Sequence, residues 1–179
     1  RLNIGHRDGS PKYAWQRVYY RSICDEDGRV VRIIGRIYNI ERDKVLQDEV
    51  RRDPLTKLLN KTESQHMAEK LFQEFPSGHH VLIVIDIDDF KGINDTFGHT
   101  FGDTVICDVA ATLRSQFRSD DIVGRVGGDE FMVVMKDTTK EIALEKVKTL
   151  CQILKREYSG TEMSRKISVS VGVSFLGKD

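Results

Sequence analysis

A chain of 179 residues with 39% apolar content is long enough to bury one full core and a smaller appendage. Lys plus Arg and Asp plus Glu balance at 28 each, so no global field draws a nucleic acid polymer or an anionic membrane, and an anionic ligand has to be handled locally. Cys24, Cys107 and Cys151 are odd in number, far apart and without a CxxC pair, which argues against a disulfide framework, and no apolar stretch approaches membrane-spanning length.

The thiols fit packing residues of a cytoplasmic protein. The chain opens at Arg1 with no methionine or signal peptide, so it reads as an excerpt from a longer protein whose membrane anchor, if one exists, lies outside this segment. YAWQRVYYRSI and RVVRIIGRIYNI are rich in aromatic and β-branched residues. DEDG at 25–28 supplies turn chemistry between them and predicts a hairpin, and RDGS at 7–10 predicts an earlier turn and a third strand. Three short strands cannot close a core alone, so residues 1–43 read as the tail of a larger module. The run DEDGRVVRIIGRIYNIERDK resembles the closing strands and exit of a PAS sensory domain.

Residues 41–52, ERDKVLQDEVRR, are a charged stretch with Val45, Leu46 and Val50 interspersed, its part at 44–52 reads as the linker, and Pro54 ends it. A connecting helix is predicted, too short in its apolar stripe for a sustained heptad pattern. From Asp53 onward, helical and extended patterns alternate, which points to an α+β or α/β-like domain over 53–179 with a central mixed sheet flanked by helices. Asn60 and Glu63 form a capping pair ahead of Met67, Leu71, Phe72 and Phe75 at helical spacing. VLIVI at 81–85 predicts a central strand buried on both faces. Further helices are expected over 103–117 and 139–157, and RKISVSVGVSF alternates as a half-buried strand.

The chemistry concentrates in two places. Asp86 ends VLIVI, with Asp88 and Asp89 directly after it, so carboxylates gather where a buried strand leaves the sheet. In RVGGDEF, at 125–131, Gly127 and Gly128 predict a hairpin tip in which positive φ is cheap, with FMVVM leaving as a strand. If the two strands are neighbours, Asp86 converges with Asp129 or Glu130. Clustered hard oxygens repel one another unless a cation lies between them, and magnesium or manganese suits them. Glycines without Cβ atoms leave room for a ligand against the backbone.

Three motifs in order extend this picture. DPLTKLLNK at 53–61, DIDDFKGINDTFGHTFGD at 86–103 and RVGGDEF resemble the GGDEF family of diguanylate cyclases. The resemblance implies a nucleotide-cyclase-like fold and condensation of two GTP molecules into cyclic di-GMP with release of two pyrophosphates. It implies that Asp86, the Ile87 carbonyl and Asp129, with Glu130 close by, hold divalent cations on the triphosphate. No GxxxxGK[ST] loop is present to do that work.

Lys91 would face the phosphates, although by itself it also reads as a solvated lysine after a strand. Asp129 is the first choice to assist deprotonation of the ribose 3′-hydroxyl, with Glu130 the alternate. Asn94 and Asp103 would read guanine, while Asp103 equally fits a helix N-cap and Asn94 a turn. His99 is placed near the nucleotide by the family and equally fits a loop histidine bonded to backbone.

The resemblance implies one GTP per domain, so mutual attack would require a homodimer. Arg118 and Asp121 of RSDD match the family's RxxD inhibitory product site, and at i, i+3 they also read as a surface ion pair. Family members continue beyond the last strand into a helix with basic residues. A second reading is a catalytically silent module that binds GTP or cyclic di-GMP.

Overall fold

A computed structural model describes residues 2–3, 13–159 and 164–177. The chain comprises two compact units, residues 1–50 and 51–179.

In the first unit, β1 (Leu2–Asn3) pairs antiparallel with β2 (Tyr13–Ala14), and β3 (Gln16–Cys24) with β4 (Val30–Asn39). The predicted turn at 7–10 lies outside the described residues. At the β3–β4 turn, Asp25 accepts from the amides of Asp27 at 3.1 Å and Arg29 at 2.8 Å, and Gly28 takes φ 78°. Aspartate and glycine are the residues that supply these two features at low cost.

Register sorts the hairpin into unlike faces. Val18 lies opposite Ile37, Tyr20 opposite Gly35 and Ser22 opposite Ile33, a face without charge. The other face alternates Arg17, Arg21, Arg32 and Arg36 with Tyr19, Ile23, Ile34 and Tyr38. Helix α1 (Glu41–Arg51) follows, with no buried residue.

The second unit has a four-stranded sheet of order β10-β5-β7-β6, built from β5 (His80–Ile87), β6 (Ile122–Arg125), β7 (Glu130–Met135) and β10 (Val169–Leu176). All three pairings are antiparallel. The expected mixed sheet is therefore corrected: β6 and β7 are joined by a short hairpin, and β5 and β10 run against β7 and β5 respectively.

The sheet's alternating side chains seed two cores. Val81, Ile83, Ile85, Ile87, Phe131 and Val133 point to one side, where α4 (His99–Gln116) and α5 (Lys140–Leu154) cover them. Ile122, Met132 and Val134 point to the other, under Ala68 and Leu71 of α2 (Lys61–Glu74). Asn60 caps α2 by accepting from the Glu63 amide at 3.0 Å, as the sequence pattern predicts. VLIVI is not sealed on both faces, because Val84 on the α2 side is 43% exposed. A ribbon of β8 (Arg156–Ser159) and β9 (Ser164–Ile167) replaces the end of the predicted third helix.

Candidate functional site

One end of the sheet collects the chemistry. β5 delivers Asp86 and Ile87 there as it finishes, and β7 delivers Glu130 as it starts, and the ladder sets Asp86 directly opposite Glu130. The Ile87 amide donates to the Asp129 carbonyl at 3.3 Å, which ties the hairpin tip to the strand end. The Asp86 carboxyl is held above the ordinary aspartate value of 3.8, first by desolvation and then by the charges of Asp129, Glu130 and Asp88. Mutual repulsion of this kind marks a site suited to a cation.

Among the described residues, no three His, Cys, Asp or Glu side chains close around one point as a ready-made metal cage. Magnesium and manganese do not require one: one or two carboxylates suffice when phosphate oxygens complete the shell. Asp86, the Ile87 carbonyl and Asp129 or Glu130 fit such an ion.

The acids that the sequence grouped together are divided by the structure. Asp88 turns to β10, where its carboxylate accepts from Ser168 Oγ at 2.5 Å and Ser170 Oγ at 2.6 Å. Those two hydrogen bonds hold it below the ordinary value. Asp89 takes a left-handed conformation, φ 51°, and opens α3 (Phe90–Phe97).

Several local expectations need correction. Gly127 and Gly128 sit at the hairpin tip, but neither has positive φ. Their use is space: the position a Gly128 Cβ would take meets nothing within 4 Å, and at Gly127 it would meet the Glu130 carboxylate. Asn94 lies on α3 rather than in a turn, and His99 is the first residue of α4 rather than part of a loop. Asp103 stands inside α4, exposed, and is not an N-cap; Gly98 holds that place. Lys91 is exposed on the first turn of α3.

Asn94 Oδ1 is buried without a hydrogen-bond partner, and an orphaned acceptor of this kind awaits a donor. Gly102 of α4 lies beneath it, where a Cβ would strike that oxygen and approach the Phe90 ring at 3.2 Å.

Arg118 and Asp121 meet through the Arg118 amide, not through the side-chain ion pair that their spacing also allows. Asp121 is buried, and its carboxylate accepts from the Arg118 amide at 2.9 Å and the Lys136 amide at 3.2 Å. Arg118 itself is exposed. Alongside lies a groove of about 700 Å³ whose lining includes Arg52, Arg114, Ser119, Asp120, Asp121 and Lys136.

Sequence reasoning missed a clamp. Arg125 Nη1 reaches the Asp53 carboxylate at 3.2 and 3.4 Å, while Nε and Nη2 donate to the Gly128 carbonyl at 3.2 and 2.7 Å. Asp53 also accepts from the Thr56 amide at 2.8 Å and hydroxyl at 2.7 Å. Burial alone would raise its carboxyl, but Thr56 and Arg125 outweigh that and leave it below the ordinary value. A planar guanidinium flanking the glycine pair was the available signal, since only arginine offers donors in two directions at once.

A diguanylate cyclase GGDEF-domain model matches residues 50–179. Diguanylate cyclase DgcP of Pseudomonas aeruginosa is 33% identical over 163 residues, 82% of this chain and 24% of that protein. Diguanylate cyclase DgcM of Escherichia coli is 33% identical over 145 residues, 77% of this chain and 35% of that protein. Among solved structures, the coiled coil and GGDEF domain of Caulobacter crescentus DgcB, in complex with c-di-GMP, superposes with a TM-score of 0.71 at 25% identity. It covers 75% of this chain and 74% of that one.

The antiparallel sheet with its acidic end thus belongs to an α+β domain that resembles solved GGDEF structures. The chain belongs to the GGDEF diguanylate cyclase family. It spans about a quarter to a third of the length of these two curated relatives. No described helix is long and apolar enough to cross a membrane.

Proposed function

We propose that this domain condenses two GTP molecules into cyclic di-GMP and two pyrophosphates. The observation that carries the reading is the register pair Asp86–Glu130, with Asp129 tied to Ile87 at the same sheet end.

In each half-reaction the 3′-hydroxyl of one GTP attacks the α-phosphorus of the other. A P–O bond forms there, the bond to the β-phosphate oxygen breaks, and pyrophosphate leaves. Magnesium or manganese on the triphosphate would withdraw charge from the phosphate oxygens and stabilise the leaving group. Asp86, the Ile87 carbonyl and Asp129 or Glu130 would hold it. Asp129, or Glu130 in its place, takes the hydroxyl proton. Lys91 stabilises charge on the phosphates. Gly127 and Gly128 leave space for the nucleotide.

Asn94 faces the guanine with its unpaired oxygen, Asp103 accepts from guanine N–H groups, and His99 lies beside the nucleotide. One domain holds one GTP, so the active species is a homodimer. The β3–β4 hairpin belongs to a PAS-like sensory segment over residues 1–43, joined through 44–52 to the cyclase at 53–179; the chargeless face of its register supports this, since such a face requires cover. The whole operates in the bacterial cytoplasm.

The full-length protein incubated with GTP and Mg²⁺ is expected to release pyrophosphate and form a cyclic dinucleotide, with ATP turned over far more slowly. Dinucleotide binding with no pyrophosphate release would favour a silent receptor instead.

Two further outcomes follow from the geometry. Gly102→Ala normally improves a helix interior by about 1 kcal/mol. Here its Cβ displaces the Asn94 amide, so KM for GTP should rise about tenfold, a loss of roughly one hydrogen bond to the base. Product inhibition would use the exposed Arg118 guanidinium, with Asp121 fixing the turn that presents it. For Arg118→Ala, the concentration of added cyclic di-GMP that halves the initial rate should rise at least about tenfold, as expected for a lost charged contact.

A further inference from the structure

We infer that Asp88 is a positioning residue, latched by Ser168 and Ser170, that aims the Ile87 carbonyl at the metal-holding side of the site. The inference rests on the cyclase reading above.

The reasoning begins with one peptide plane. The Asp88 amide donates to the Ser168 carbonyl at 3.0 Å, toward β10. In a trans peptide the preceding carbonyl points the opposite way, so the Ile87 oxygen is directed away from β10, toward the hairpin that carries Asp129 and Glu130. Among the described residues no peptide bond is cis. On the other side of Ile87, its own amide is bonded to the Asp129 carbonyl.

What keeps this plane from rotating is the Asp88 side chain. Each of its oxygens accepts one serine hydroxyl, from Ser168 just before β10 at 2.5 Å and from Ser170 within it at 2.6 Å. Hydroxyl-to-carboxylate bonds of this length are the strong, charge-assisted kind. With both oxygens engaged, Asp88 acts on the metal through the Ile87 carbonyl and not as a ligand. Outer-shell partners of this sort typically alter metal affinity by about 10- to 100-fold.

The two possible roles of Asp88 separate cleanly in experiment. Mn²⁺ binding to the full-length protein is measured by electron paramagnetic resonance with the α,β-methylene analogue of GTP present, alongside kcat, KM and thermal melting. Asp88→Asn and the double variant Ser168→Ala/Ser170→Ala are both expected to weaken Mn²⁺ about tenfold or more. kcat should fall more than KM for GTP rises. Ser170→Thr, which keeps the hydroxyl, should bind Mn²⁺ like the unaltered protein.

Wild-type Mn²⁺ affinity in the serine double variant would overturn the inference, whatever Asp88→Asn does, because the latch would then be absent without effect on the metal. If the double variant does not fold, Ser168→Ala alone decides, since Ser170 lies opposite Asp86 in the ladder: unchanged Mn²⁺ affinity overturns the latch, and weakened Mn²⁺ binding supports it. Unaltered protein that binds Mn²⁺ but forms no pyrophosphate would contradict the cyclase reading and leave the positioning role standing.

Discussion

Asp86→Asn is expected to reduce GTP turnover by about a thousandfold, the upper range for losing one stabiliser of transition-state charge, while its unfolding midpoint stays level or rises. The two effects share a cause. In the folded protein, desolvation and the neighbouring charges of Asp129, Glu130 and Asp88 oppose ionisation of Asp86 and hold its carboxyl above the ordinary 3.8.

A carboxyl raised on folding is favoured by folding in its protonated form. That contribution is fully present below the ordinary value and is lost as pH rises through the raised one. At neutral pH the wild type therefore carries an ionised Asp86 at a cost that asparagine does not incur. Melting curves between pH 3 and 7 check this: the variant should gain on the wild type as pH rises. A midpoint that falls at neutral pH would show that Asp86 is structural.

Arg125→Ala should produce the largest loss of stability. Its guanidinium bridges the Asp53 carboxylate and the Gly128 carbonyl, and the two side chains are only 15% and 16% exposed. Truncation removes the cation from a part-buried carboxylate that keeps only its Thr56 donors and leaves the Gly128 carbonyl without the Arg125 donors, at a cost of about 2–3 kcal/mol. The unfolding midpoint should drop by roughly 5–12 °C.

Turnover should fall about a hundredfold as the hairpin tip shifts against its partners. Arg125→Lys should rescue little, because an ammonium cannot fork between two acceptors. The pH signature is opposite to that of Asp86. Asp53 is held below the ordinary value, so its contribution is complete above about 3.8 and disappears as pH falls through the depressed value. Arg125→Ala should flatten that acid limb in the melting profile.

These contrasts show what was legible in the sequence. The hairpin of RVGGDEF, the capping of α2 by Asn60 and the meeting of Asp86 with Glu130 follow from local pattern and strand alternation. The start of α4 does not. Asp103 offers an N-cap signal, yet the helix begins at His99, because Phe97 stacks on Phe101 at 4.7 Å and Gly102 fits against Asn94. Contacts between helices override the local cap there.

Alternating helices and strands usually imply some parallel pairing, which is why the sequence pattern predicts a mixed sheet. Here the hairpin and the return of β10 make all pairings among the four strands antiparallel. Asp88 looked identical to Asp86 in sequence. Only the distant Ser168 and Ser170 distinguish them, and nothing in DIDDF announces those partners.

The most direct measurement is anomalous diffraction from crystals of the protein grown with Mn²⁺ and the α,β-methylene analogue of GTP. The account predicts a manganese peak bounded by the Asp86 carboxylate, the Ile87 carbonyl and Asp129 or Glu130, on the triphosphate. A nucleotide bound at this sheet end with manganese held elsewhere, or with no manganese at all, would contradict it.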